Sequence, residues 1–171
     1  NSGQSKAVVT GIRFAKGKYI ATIDGDLQND PDDIPKLYKA LINSKNKNLK
    51  MAAGYRKKRK DTIYKRVASK IANKIRSSLL KDNTPDTGCG LKVFDRETFL
   101  KVPYFDHMHR FLPALFQREG ADVISVEVKH HDRSYGKSHY NNLQRAWVGL
   151  IDLMGVMWLI KRSSKTDIKE F

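Results

Sequence analysis

Two hydrophobic periods take turns along this chain, and that alternation constrains the fold more than any single residue does. From Gly3 to Lys16, the residues Ala7, Val8, Gly11, Ile12 and Ala15 recur at spacings of three and four, which predicts a helix closed by Gly17. Tyr19-Ile20-Ala21-Thr22-Ile23 then reads as a buried strand running into Asp24-Gly25-Asp26. Asn29 to Asp33 opens the next helix, with Asp30 as N-cap and Pro31 in the first turn, and that helix runs to about Ile42. Met51 to Gly54 is a short strand. Between Thr62 and Leu80, Ile63, Val67, Ile71, Ile75 and Leu79 form one helical face, backed by Ala68 and Ala72. Gly88 to Phe94 reads as a strand after a turn at Pro85-Asp86, Met108 to Arg118 as a helix, and Ala121 to Lys129 as an alternating strand. Tyr140 to Ile160 is helical. Strands alternating with helices predict an α/β layered fold with a mainly parallel sheet. At 171 residues the chain can bury a core as one domain, and no repeat or linker divides it.

Charge narrows the partners. The chain has 33 Lys+Arg against 18 Asp+Glu, a formal net charge of +15. Such a balance points to an anionic partner: nucleic acid, a phospholipid surface or a phosphorylated substrate. The single cysteine, Cys89, excludes an intrachain disulfide and a cysteine-based zinc site. No run of 18 apolar residues occurs, so no transmembrane helix is expected. The chain begins at Asn1 without the pattern of a signal peptide.

Four segments carry candidate chemistry. Asp24 and Asp26 end a strand and, with period two, project to one side, where open α/β sheets bind ligands. Two carboxylates there suit a hard divalent cation completed by substrate phosphates. Asp30, Asp32 and Asp33 are explained by helix capping and are read as structural. The loop His130 to Tyr140 brings Arg133, Ser134, Lys137 and Ser138 together after a strand, a composition that can wrap a pyrophosphate. His130 and His131 are adjacent on a strand and point to opposite faces, which argues against a shared metal. Arg56 to Lys60 is basic and continues into Lys65, Arg66 and Lys70, with Ser69 beside the latter pair. Arg56 stands apart from the other cations because it follows a strand end. Asp86 and Cys89, set among Pro85, Gly88 and Gly90, read locally as a turn with a packed thiol.

In this order the motifs resemble the family 2 glycosyltransferases, most closely the dolichol-phosphate mannosyltransferase and polyprenyl-phosphate glycosyltransferase branch. The elements are Asn1-x-Gly3…Ala7…Gly11…Ala15-x-Gly17, Asp24-Gly25-Asp26-Leu27-Gln28-Asn29-Asp30-Pro31, Gly54-x-Arg56, Asp86-x-Gly88-Cys89-Gly90 and Arg133-x-x-Gly136-x-Ser138-x-Tyr140. The resemblance implies a GT-A, Rossmann-like sheet flanked by helices. Family members begin with two further strands that hold the nucleotide base and ribose. This chain enters the pattern at the helix after them, so it is expected to lack the first βα units and to expose an apolar sheet edge. Residues 1–140 would form the later, C-terminal part of the catalytic domain, 141–162 an amphipathic membrane-interfacial or packing helix, and 163–171 a loose basic tail.

The resemblance also implies roles. Asp24 and Asp26, with Gln28 completing the shell, would hold Mg²⁺ or Mn²⁺ on the diphosphate of a GDP- or UDP-sugar. Arg56, Arg66 and Ser69 would grip the phosphate of a lipid acceptor. Asp86 would lie near that acceptor, and Arg133 and Ser138 would close over the donor diphosphate. The reaction would be an inverting displacement in which Asp26, Asp86 and Arg133 act, at the cytoplasmic face of a membrane to which the protein is peripheral. The C-terminal helix, with Trp147, Trp158, Lys161 and Arg162, would either rest on an anionic membrane surface or pack a homo-oligomer. Two other readings stay open: a remnant that no longer binds donor, and a basic nucleic-acid-binding module. No nucleic-acid motif is present and the Asp24–Asp33 cluster opposes a phosphate-binding face, so no nucleic acid is expected.

Overall fold

A computed structural model describes residues 3–57, 73–131 and 142–163. Helix α1 (Gly3–Phe14) precedes strand β1 (Tyr19–Thr22), and a 3₁₀ turn (Pro31–Asp33) leads into α2 (Ile34–Ile42). Strand β2 (Leu49–Arg56) is followed by helical residues 73–80 (α3), β3 (Lys92–Asp95) and α4 (Arg96–Lys101). A second 3₁₀ turn (Met108–Arg110), α5 (Leu112–Arg118), β4 (Asp122–Val128) and α6 (Asn142–Lys161) complete the described elements.

Capping chemistry explains where several of these elements begin. Asp30 accepts a hydrogen bond from the Asp32 amide at 3.0 Å, and Asp95 accepts from the Thr98 amide at 2.8 Å to start α4. Asp33 is buried, and its Oδ2 accepts from the Lys129 amide at 2.6 Å, tying the end of β4 to α2. Asp30 is thus the cap that its position implies, whereas Asp33 serves the fold through Lys129 rather than as a cap.

The four strands lie in the order β1-β3-β2-β4. β3 runs antiparallel to both β1 and β2, whereas β2 and β4 are parallel. The expectation of a mainly parallel sheet is therefore corrected to a mixed one. The reason is the route into β3: the stretch after α3 enters at the end of the sheet where β1, β2 and β4 finish. Hydrophobic periodicity reports which face of a strand is buried, not its direction. The outcome places the C-terminal ends of β1, β2 and β4 and the N-terminal end of β3 along one edge.

Both faces of the sheet are covered. On one, Met51, Phe94, Phe99, Leu115, Phe116 and Val156 join α1, α4, α5 and α6 in a single core. Phe94 stacks on Phe99 at 5.4 Å and meets Phe116 edge-on at 5.5 Å. On the other, Leu37 and Leu41 of α2 pack on Ala52, Leu91 and Val93. α1 is fixed to the second 3₁₀ turn by Ser5, whose hydroxyl meets His109 Nδ1 at 2.8 Å. Burial pushes that imidazole down to about 4, so it is neutral near pH 7.

One edge of the sheet is open, and two helices differ from expectation. β1 is an edge strand, with Ala21 exposed, and a groove of about 450 Å³ lined by Val8, Gly11, Ile12, Tyr19 and Ile20 opens between it and α1. This is the open apolar edge the motif order implied. In α3 the buried residues are Arg76 and Leu80, whereas Ile75 and Leu79 are exposed, so the face inferred from a spacing of four points outward there. The helix expected over Met108–Arg118 is interrupted at Phe111, after His107 adopts a left-handed conformation at φ 65° while bonding Asp152 at 3.1 Å.

Candidate active site

The edge where the four strands converge carries the site. Asp24 follows β1, Arg56 ends β2, and residues 81–91 lead into β3. That segment is stapled by basic side chains. Arg76 pairs with buried Asp82 and donates to the Thr84 carbonyl at 2.6 Å, while Gln117 reaches the Asp82 carbonyl at 3.4 Å. Arg56 then takes Asp86 in a fork: Nε to Oδ2 at 2.6 Å and Nη2 to Oδ1 at 2.8 Å, with the Arg56 amide adding a bond to Oδ2 at 3.2 Å. Burial works against the Arg56 charge, but Asp86 more than reverses it and raises the guanidinium pKa. Nη1 makes no hydrogen bond among the described residues and is available to an anion.

Asp24 sits against the same segment. Its Oδ1 accepts from Gln4 Nε2 at 3.0 Å, and its Oδ2 has no hydrogen-bond partner among the described residues. Beneath it lies Gly90, where a Cβ would stand 2.2 Å from the carboxylate carbon, so only glycine admits the aspartate there. At Gly88 a Cβ would come within 3.3 Å of Arg56 Nη2, a tight contact that a shift of a few tenths of an ångström would relieve. Asp26 Oδ1 accepts from the Gln28 amide at 3.2 Å, which curls the chain just after the strand.

The sequence-derived candidates divide into those brought together and those outside the described residues. Asp24 and Asp86 both act electrostatically on Arg56. Asp26 and Gln28 follow Asp24 on the same loop. The Gln28 side-chain Nε2 donates to the His131 carbonyl at 3.5 Å, and the His131 backbone amide donates to the Gln28 carbonyl at 2.9 Å. Asn29 and His130 form a bridge beside them. His131 thus lies beside the Gln28 loop, whereas Arg133 and Ser138, like Arg66 and Ser69, lie outside the described residues. Cys89 is buried, and burial pushes its thiol pKa up, in keeping with a packed and unreactive residue.

Local reading missed Gln4 and Lys92 and took Gly90 only as part of a turn. Lys92 is 4% exposed and donates to the Cys89 carbonyl, and burial pushes its ammonium pKa down against the pull of Cys89, Asp24 and Asp86. In sequence it is one polar residue at the mouth of a strand, with nothing nearby to mark it.

Among the described residues no three His, Cys, Asp or Glu side chains gather as a metal cage. A cage is not what Mg²⁺ needs, since it binds through one or two carboxylates plus substrate phosphates. The unpartnered Oδ2 of Asp24, seated on a glycine cradle, fits that mode.

Comparison with known proteins bears directly on this geometry. Residues 1–102 match the profile of Glycosyl transferase family 2. The chain is 34% identical over 168 residues to the dodecaprenyl-phosphate galacturonate synthase of Rhizobium johnstonii, covering 96% of this chain and 48% of that protein. It is 30% identical over 158 residues to the undecaprenyl-phosphate 4-deoxy-4-formamido-L-arabinose transferase of Aeromonas hydrophila, covering 92% and 45%. The chain thus spans about half the length of the curated relatives it matches. In fold it is similar to glucosyl-3-phosphoglycerate synthase of Mycobacterium tuberculosis in complex with Mg²⁺ and UDP, with a TM-score of 0.65 and 15% identity over 98% of this chain and 57% of that one. Mannosyl-3-phosphoglycerate synthase of Rubrobacter xylanophilus gives 0.64 and 12%, over 99% and 55%. The architecture is that of the GT-A glycosyltransferases.

Proposed function

The chain belongs to glycosyl transferase family 2, and from that premise we propose that it forms part of an enzyme moving a sugar from a GDP- or UDP-sugar to a polyprenyl phosphate, with inversion at the anomeric carbon. The observation that carries this reading is the adjacency of two complementary sites at one sheet edge. Asp24 and Asp26 offer carboxylates for Mg²⁺ or Mn²⁺, while Arg56, held by Asp86, offers a guanidinium for a phosphate. Two relatives named as polyprenyl-phosphate sugar transferases support the acceptor class.

A divalent cation bound by Asp24 and Asp26, with Gln28 beside them, would neutralise charge developing on the leaving nucleoside diphosphate. Arg133 and Ser138 would supply further donors to that diphosphate. Arg56, joined by Arg66 and Ser69, would hold the acceptor phosphate. A phosphate monoester is already anionic near neutral pH, so its oxygen attacks without a strong base. Asp86 then works by holding the Arg56 guanidinium in one orientation, since that guanidinium engages both of its oxygens. The test is sugar transfer to a polyprenyl phosphate by the full-length protein. Transfer should cease on chelation and return with Mn²⁺ or Mg²⁺; undiminished transfer in chelator would overturn the metal assignment.

The lipid acceptor gives α6 a role. Leu153 and Val156 face the core, whereas Trp147, Leu150, Ile151, Met154 and Trp158 form an exposed stripe along the other side. Trp147 is 66% and Trp158 60% exposed, and exposed Lys161 and Arg162 follow. Among the described residues no helix is long and apolar enough to cross a membrane. Paired tryptophans with a basic end suit a helix lying in an anionic bilayer surface on the cytoplasmic side. A tryptophan buries 150–250 Å² at roughly 25 cal/mol per Å², so replacing either Trp147 or Trp158 by Ala should weaken sedimentation with phosphatidylglycerol vesicles by about tenfold or more. Unchanged sedimentation, with a dimer that the same changes dissociate, would assign the stripe to a homo-oligomer instead.

A further inference from the structure

Lys92 opens β3, the strand flanked by both β1 and β2, and lies opposite Thr22 and Ala53. It is almost fully enclosed, yet its ammonium donates only to the Cys89 carbonyl among the described residues. An ammonium has three donors, and enclosing one with so little compensation costs stability that an apolar side chain of the same length would not lose. The fold alone gives no reason to keep a charge there.

The local geometry supplies one. Three successive carbonyls of the turn into β3 are held from three sides: Cys89 by Lys92, Gly90 by the Thr22 hydroxyl at 2.9 Å, and Leu91 by the Gly54 amide at 2.9 Å. Gly90 is the surface against which the Asp24 carboxylate rests, too close for any Cβ. The lysine also lies in the field of both Asp24 and Asp86.

We infer that Lys92 is a positioning residue for Asp24: it clamps the Cys89–Gly90 turn beneath that carboxylate, so the aspartate is preset for a divalent cation. This rests on the reading of Asp24 and Asp26 as a metal site. Lys92 would touch neither the cation nor the substrates.

The experiment is calorimetric titration of Mn²⁺ into the full-length protein, with thermal unfolding measured in parallel. Residues that orient a metal ligand typically change affinity by about 10–100-fold. Lys92→Met should therefore bind Mn²⁺ at least about tenfold more weakly while its unfolding midpoint stays level or rises, because a desolvated charge has been removed. Gly90→Ala, which pushes Asp24 directly, should lose affinity on the same scale. Lys92→Arg, which keeps a donor for the Cys89 carbonyl, should retain more than half of the lost affinity on a logarithmic scale. Wild-type affinity in Lys92→Met would overturn the inference, and so would its failure to fold together with wild-type affinity in Lys92→Arg and Gly90→Ala. If Asp26→Ala also binds Mn²⁺ as the wild type does, the metal reading is what fails.

Discussion

Replacing Asp26 with Ala in the full-length protein should reduce sugar transfer to below about 1% of wild type, since a catalytic cation contributes several kcal/mol to the transition state and each 1.36 kcal/mol is tenfold. Asp26 also has a local structural task, because its Oδ1 accepts from the Gln28 amide. Asp26→Asn separates the two. Asparagine keeps an oxygen for that amide and so preserves the curl of the loop, but it brings no charge to a cation. Both variants should therefore be inactive, and Asp26→Asn should unfold at the wild-type temperature. Activity retained in Asp26→Asn would reduce the aspartate to a turn residue.

The second large effect is on stability. Arg56 and Asp86 form a fork with side-chain exposures of 13% and 9%, and the Arg56 amide adds a third bond to the carboxylate. Removing one partner of an enclosed pair strands the other, which typically costs about 3–5 kcal/mol. Asp86→Ala should thus lower the urea-derived unfolding free energy by that amount, with a drop of about 10 °C in midpoint for a chain of this size. Arg56→Ala should also destabilise the protein, and the double variant should cost less than the sum of the two. Such coupling is what a double-mutant cycle reads. A loss below about 1 kcal/mol in Asp86→Ala would mean that the pair is not held as the fork implies.

Some of this was legible in the residues alone because it depends on local chemistry. The period of α1, the run of β1 into Asp24 and Asp26, and the capping by Asp30 each occupy a few consecutive positions. The direction of β3 was not legible, since a strand buried on both faces carries the same pattern whichever way it runs. The Arg56–Asp86 fork joins positions thirty residues apart, and local reading assigned Asp86 to a turn until the motif order suggested otherwise. His107 takes up a left-handed conformation without a glycine or asparagine to announce it, held by Asp152 from α6. Ile75 and Leu79 fit a helical stripe in sequence, yet the fold buries Arg76 instead because Asp82 and the Thr84 carbonyl wait for it there. In each case the deciding partner is distant in sequence.

The central claim is that Asp24 and Asp26 seat a divalent cation against a nucleoside diphosphate. The most direct measurement is a calorimetric titration of UDP and of GDP into the full-length protein, with and without Mn²⁺, repeated on Asp26→Ala. The account predicts stoichiometric binding of one nucleotide that requires Mn²⁺ and disappears in Asp26→Ala. Nucleotide binding of equal strength without metal, or preserved in that variant, would contradict it.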